Sequence, residues 1–214
     1  GGLLSLVSAP LLTPEPPPCA PPPNREVAAP NVSFDRLRQS NKEPQNWLTY
    51  SGGLSSQRHS LLNAINASNA RELELKWVFQ SRSLDRHQVT PLVVDGTMYT
   101  IQSPNDVVAL NAATGKQIWI YSYTPDPAAK NCCGRFSRGV AISGDTIFLA
   151  SFDARIIAID ARNGRELWKA EPAGDPKQGY AFTHAPLVVK DKVIAGTAGG
   201  EFGVRGFIAA WDVK

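Results

Sequence analysis

Cysteine is scarce in this chain, with three in 214 residues, so no disulfide framework carries the fold. Long apolar runs are missing too: no stretch reaches the ~18 consecutive apolar residues that a membrane-spanning helix needs. Lysine and arginine never gather into a run and the net charge is only +3, which argues against nucleic acid as a partner. The three histidines, His59, His87 and His184, show no metal-binding spacing and read as structural or surface residues. An initial methionine is absent as well; the chain opens on Gly1, so a fragment or a processed product is expected. What remains is an ordinary globular composition, 43% hydrophobic and 19% charged, sized for one or two domains.

Proline is plentiful but unevenly placed. Residues 1–30 hold nine of the seventeen prolines, a density that builds no core and reads as an extended, polyproline-like tether. Its opening, "GGLLSLVSAPLL", reads either as the remnant of a secretory signal or as plain low complexity. Cys19, in "PPPCAPPP", reads as an exposed thiol; the sharper reading, a lipid-modified cysteine, is at odds with the prolines before it. Residues 31–89 form a segment that leads into the regular strands. There Ser33 is expected to cap a short helix that places Phe34 and Leu37 on one face and ends before Pro44.

Residues 90–214 repeat one grammar. "TPLVVDGTMYT" reads as strand, Asp95-Gly96 turn, strand, and "DVVALNAATGKQIWIY" as strand, Thr114-Gly115 turn, strand. The same order returns in "RGVAISGDTIFLAS" with "RIIAIDARNGRELWKA", and in "HAPLVVKDKVIAGTA" with "GFIAAWDVK". The motif Ala-x-Asn/Asp starts at Ala109, Ala158 and Ala210, giving steps of 49 and 52 residues. A period near fifty with four short strands per unit is the signature of propeller blades. The first two units run on to Trp119 and Trp168, whose rings are expected to dock blade on blade. The pattern makes an all-β fold, about two and a half blades of a β-propeller, with strand edges and apolar faces left at both ends.

One stretch stands outside this grammar: "AKNCCGRFSRG", with Cys132 and Cys133 side by side. A bond between neighbours closes the smallest loop and removes almost no unfolded-state entropy. Adjacent Cα atoms lie ~3.8 Å apart, shorter than the usual disulfide span of ~4.4–6.8 Å. Such a bond is strained, and strain is kept where function over-determines it. Two free thiols, one of them buried, are the plainer alternative.

The repeat tail, together with "CCGRFSRG", "YAFTHAPLVVKDKVIAG" and "GTAGGEFGVRGF", resembles the quinoprotein alcohol dehydrogenases, eight-bladed propellers that use pyrroloquinoline quinone (PQQ). The resemblance runs from about Asn46 to Lys214 and covers only part of such a ring. It implies that Cys132 and Cys133 are disulfide-bonded and lie flat against one face of PQQ. It implies that Arg138 bonds the cofactor's edge, where a guanidinium fork suits carboxylate and carbonyl oxygens, and that Thr183 donates a hydroxyl to it. Ala198, Gly199 and Gly200 match a segment whose backbone approaches the cofactor, and Glu201 matches a Ca²⁺ ligand. Gln88 stands where the family commonly has a cofactor-bonding glutamate, which keeps the shape and loses the charge; Ser137 replaces an asparagine.

The family's chemistry is oxidation of alcohols, or of related polyols and sugars, with Ca²⁺ as a Lewis acid on the quinone and cytochrome c or a membrane quinone as electron acceptor. The resemblance implies a periplasmic protein and places the catalytic base beyond Lys214, so the 214 residues alone are expected to be inactive. The alternative is a cofactor-free periplasmic propeller scaffold resembling the outer-membrane assembly lipoproteins. Such a scaffold has no need of Cys132, Cys133, Arg138 or Glu201.

Overall fold

The computed structural model describes residues 24–130 and 132–214, so Cys19, the signal-like opening and most of the proline-rich segment lie outside the described residues. Alternating apolar positions punctuated by turn residues fold as that pattern dictates. Strands β1 (Leu92–Val94) and β2 (Thr97–Gln102) meet at Asp95-Gly96, where both residues take positive φ, 49° and 81°. With β3 (Asp106–Asn111) and β4 (Gln117–Tyr121) they form an antiparallel sheet in sequential order. The second sheet repeats it with β5 (Val140–Ser143), β6 (Thr146–Ala150), β7 (Ile156–Asp160) and β8 (Glu166–Lys169). A three-stranded sheet follows from β9 (Leu187–Val189), β10 (Lys192–Gly196) and β11 (Ile208–Asp212). The chain is thus all-β, with two full blades and a partial third.

Each junction between sheets is one apolar core. Tyr99, Ile101 and Val107 of the first sheet pack with Val140, Ile147 and Ile157 of the second. Phe148, Ile156 and Ala158 of the second pack with Val188 and Val193 of the third and with Phe182 of the link between them. Trp119 is fully buried and its Nε1 donates to the Ala161 carbonyl at 3.0 Å. Its ring covers Gly164 so closely that a Cβ there would lie 2.6 Å from a ring carbon. The shared glycine therefore serves the docking ring as well as the turn. A third docking tryptophan emerges outside the repeats: Trp77 Nε1 donates to the Ala112 carbonyl at 3.2 Å and its ring covers Gly115. Trp77 treats the first sheet as Trp119 treats the second.

The short helix α1 (Phe34–Arg38) forms as expected, with Ser33 Oγ accepting from the Arg36 amide at 3.1 Å and Leu37 buried. Arg36 then ties this segment to the first hairpin, bonding both Glu43 (2.7 Å) and Asp95 (2.6 Å). Residues 24–32 lie along the first two sheets: the Arg25 amide donates to Ile118, that of Val27 to Arg162, and Val32 pairs with Gly144.

Candidate functional site

Because the strands alternate in direction, the turns fall alternately on two edges of the fan. The β1–β2, β3–β4, β5–β6 and β7–β8 turns share one edge, which is where residues 31 and 32 bond Asp145 and Gly144. The β2–β3, β6–β7 and β10–β11 turns share the other edge with the links between sheets. Every site residue singled out in the sequence falls on this second edge. Gln88 precedes β1; Cys132, Cys133, Ser137 and Arg138 lie between β4 and β5; Thr183 lies between β8 and β9; and Ala198 to Glu201 lie between β10 and β11.

The inter-sheet links are stitched together just before the innermost strands. The Thr90 amide donates to the Arg138 carbonyl at 2.9 Å, and the Arg138 amide to the Thr183 carbonyl at 3.2 Å. The Arg138 side chain returns to the same residue, its Nη1 donating to the Thr183 carbonyl (3.0 Å) and hydroxyl (3.1 Å). Among the described residues Nε and Nη2 of Arg138 meet no acceptor. The guanidinium lies over the Phe136 ring, 4.8 Å from its centroid. Gln88 is exposed, two residues before Thr90, and Ser137 is buried.

The turn between β10 and β11 spans residues 197–207, whereas its counterparts span only 103–105 and 151–155. The expansion folds back on the preceding link: the Ala198 amide donates to the Ala181 carbonyl at 2.8 Å. Gly199 takes φ +118°, and a Cβ there would sit 2.2 Å from the Gly179 carbonyl oxygen, so no other residue fits. Gly200 differs, since a Cβ there would meet nothing within 4 Å. The chain itself places no demand for glycine at that position.

Cys132 and Cys133 form a disulfide, Cα to Cα 3.8 Å, and both are exposed. Glu201 Oε1 lies 3.1 Å from Cys132 Sγ; the oxidised sulfur has no proton to share, so this is a close contact and not a hydrogen bond. Carboxylate and both sulfurs lie within 4.8 Å of one another. Disulfide sulfur is a poor partner for a hard cation, which leaves Glu201 as the hard ligand of this trio.

Three contributors escaped the sequence reading. Arg86 Nη1 donates to the Cys133 carbonyl at 3.3 Å. Asp153 is buried in the β6–β7 turn and bonds the loop that carries the disulfide. His184 Nε2 accepts the Gly196 amide at 3.3 Å, and burial together with the Arg138 charge lowers its pKa. A signal existed only for Asp153, which occupies the same blade turn as the Ala198–Glu201 segment, one repeat earlier.

The chain matches the family described as "PQQ: Glucose/ethanol/alcohol dehydrogenase, beta-propeller domain" over residues 47–214. It is 39% identical over 190 residues to a quinohemoprotein alcohol dehydrogenase, ADH IIB, of Pseudomonas putida, covering 86% of this chain and 27% of that protein. It is 42% identical over 185 residues to a lanthanide-dependent methanol dehydrogenase of Methylacidiphilum fumariolicum, covering 84% of this chain and 30% of the relative. The solved structure of the quinohemoprotein alcohol dehydrogenase ADHIIG from Pseudomonas putida HK5 superposes with a TM-score of 0.83 at 39% identity, covering 87% of this chain and 28% of that one. The chain thus spans about a third or less of the length of these relatives. With a matched propeller domain over most of its length and identities near 40%, the chain belongs to the PQQ-dependent glucose/ethanol/alcohol dehydrogenase β-propeller family.

Proposed function

We propose that this chain is part of a PQQ- and calcium-dependent dehydrogenase that oxidises alcohols in the periplasm and passes the electrons to a cytochrome c or a quinone. The observation that carries the reading is the convergence of three loops on one edge: the exposed Cys132–Cys133 pair, Arg138 held on Thr183, and Glu201 against the disulfide. The residues present fit a planar tricarboxylate. Arg138 has Nε and Nη2 without an acceptor among the described residues, and a carboxylate is their natural partner. Gly200 leaves open space where a side chain would obstruct a flat ligand.

PQQ, when bound, would supply the electron-poor quinone that accepts the electrons of the alcohol carbon, and the cation would supply Lewis acidity. This chain's residues hold and orient. The disulfide would offer a stiff surface without polar hydrogens, Arg138 would bond the cofactor's carboxylate or carbonyl oxygens, and Thr183, which holds Arg138 through two acceptors, would donate its hydroxyl hydrogen. Gln88, exposed in the link before β1, would offer a neutral donor and acceptor. Glu201 would supply a hard oxygen ligand to the cation. Calcium and a lanthanide ion are both hard, and the relative named as lanthanide-dependent makes both worth loading. A periplasmic location suits the disulfide, which persists in an oxidising compartment.

The test is reconstitution of the full-length protein with PQQ and either Ca²⁺ or a lanthanide ion, followed by reduction of an artificial dye or cytochrome c on adding a primary alcohol. Turnover that needs both PQQ and the ion supports the reading. Full-length protein that binds neither sinks it.

A further inference from the structure

The loop that delivers the disulfide, residues 122–130, contains no regular strand or helix, yet it is gripped by one buried carboxylate. Asp153 is 2% exposed in the turn between β6 and β7. Its Oδ2 accepts from the Tyr123 phenol at 2.7 Å and from the Asp126 amide at 3.1 Å. Its Oδ1 accepts from Ser151 Oγ, in the same turn, at 2.6 Å. Arg155 Nε stands 3.5 Å from Oδ2, and Arg155 is itself tied to the Ala170 carbonyl at 3.1 Å. The second blade therefore fixes the carboxylate, and the carboxylate holds the loop leaving the first.

The hold continues towards the cysteines. The Ala128 amide donates to Asp126 Oδ1 at 2.8 Å and the Ala129 amide to the Asp126 carbonyl at 2.9 Å. The Lys130 amide donates to the Pro176 carbonyl at 3.0 Å, and Cys132 is two residues on. The donors that reach Asp153 from the first blade's side, Tyr123 and Asp126, both belong to this loop. What the carboxylate fixes is the loop and not a strand of the sheet.

We propose that Asp153 and Tyr123 form a clamp that sets the position of the Cys132–Cys133 pair beside Glu201, making Asp153 a positioning residue for the cofactor platform. The proposal rests on the cofactor reading above. Burial and the bond to Asp153 push the Tyr123 phenol pKa up, so Tyr123 stays a donor at any working pH. Removing that donor loosens the loop while leaving both sheets intact.

The experiment compares Tyr123→Phe, Asp153→Asn and Tyr99→Phe in the full-length protein. Tyr99 is the control: its buried hydroxyl donates to the Ala161 carbonyl at 3.2 Å, in the β7–β8 turn on the edge opposite the loop. Hydrogen exchange at the Asp126, Ala129 and Lys130 amides and PQQ affinity by fluorescence titration are the readouts. Tyr123→Phe and Asp153→Asn are expected to speed loop exchange and weaken PQQ binding by about tenfold, the worth of one bond to a charged acceptor. Tyr99→Phe is expected to move neither. Loop exchange unchanged in Tyr123→Phe, an equal change in Tyr99→Phe, or a loosened loop with PQQ affinity intact overturns the proposal. If Asp153→Asn fails to fold, Tyr123→Phe decides alone. If the unsubstituted protein binds no PQQ, the cofactor reading and the platform role fall together, while exchange still shows whether the loop is clamped.

Discussion

Arg138 spends one guanidinium nitrogen on Thr183 and keeps two nitrogens clear of the described protein, which is an economical way to present a fork to a carboxylate. Arg138→Lys keeps the charge and loses the fork, so PQQ affinity in the full-length protein is expected to fall about 10- to 100-fold, by fluorescence titration, with little change in melting temperature. Gly200→Ala makes a cleaner separation. Its Cβ meets no atom within 4 Å, so the fold is expected to tolerate it while cofactor binding weakens. His184 gives the site a pH dependence. Its pKa is lowered from 6.5, first by burial and then by the Arg138 charge. The native state thus binds fewer protons than the unfolded chain just below that value, and stability rises with pH there. Melting temperature is expected to hold above pH about 6.5 and to drop as pH falls through the folded-state value, a slope that His184→Gln flattens.

At the scale of the element, Trp77 and Trp119 each cover a glycine, Gly115 and Gly164. Gly164 takes φ +76° and would place a Cβ 2.6 Å from the Trp119 ring, so Gly164→Ala combines backbone strain with overpacking. We expect it to cost about 2–4 kcal/mol in urea unfolding. Gly96→Ala meets the same backbone difficulty, φ +81°, with open space around it, and should cost only about 1–2 kcal/mol. Equal losses would mean that the ring contact carries none of the difference. The strands and turns themselves were legible in the sequence, because alternation and Asp-Gly or Asn-Gly turns are local signals. Trp77 was less legible: its stretch alternates, but Leu73 and Leu75 are 63% and 80% exposed and no described strand pairs with it.

The whole molecule leaves much apolar surface uncovered. Leu75 and Val78 at one end, and Ile208 on β11 at the other, are at least 73% exposed. Open sheet edges of this kind recruit partners. Expressed by itself, the 214-residue chain is expected to associate in a concentration-dependent way and to show no PQQ-dependent alcohol oxidation. Gel filtration with light scattering and a dye-linked assay check both; a monomer that turns over alcohol would contradict the expectation. Under the proposed reading Glu201 would offer one hard ligand where Ca²⁺ takes about 6–8, so the other ligands would come from outside the Cys132–Cys133–Glu201 trio.

The candidate site residues rested on the family resemblance; the sequence by itself determined the repeat, the all-β architecture and the turn positions. These depend on spacing and local backbone chemistry, which a linear string records. Only the tertiary structure decided that Gln88, Cys132, Arg138, Thr183 and Glu201 share one edge, because that follows from alternating strand direction summed over three sheets. It alone placed Glu201 against Cys132, 69 residues away, and Asp153 under the disulfide loop. Such contacts arise from how blades pack across their faces, and no spacing along the chain encodes them.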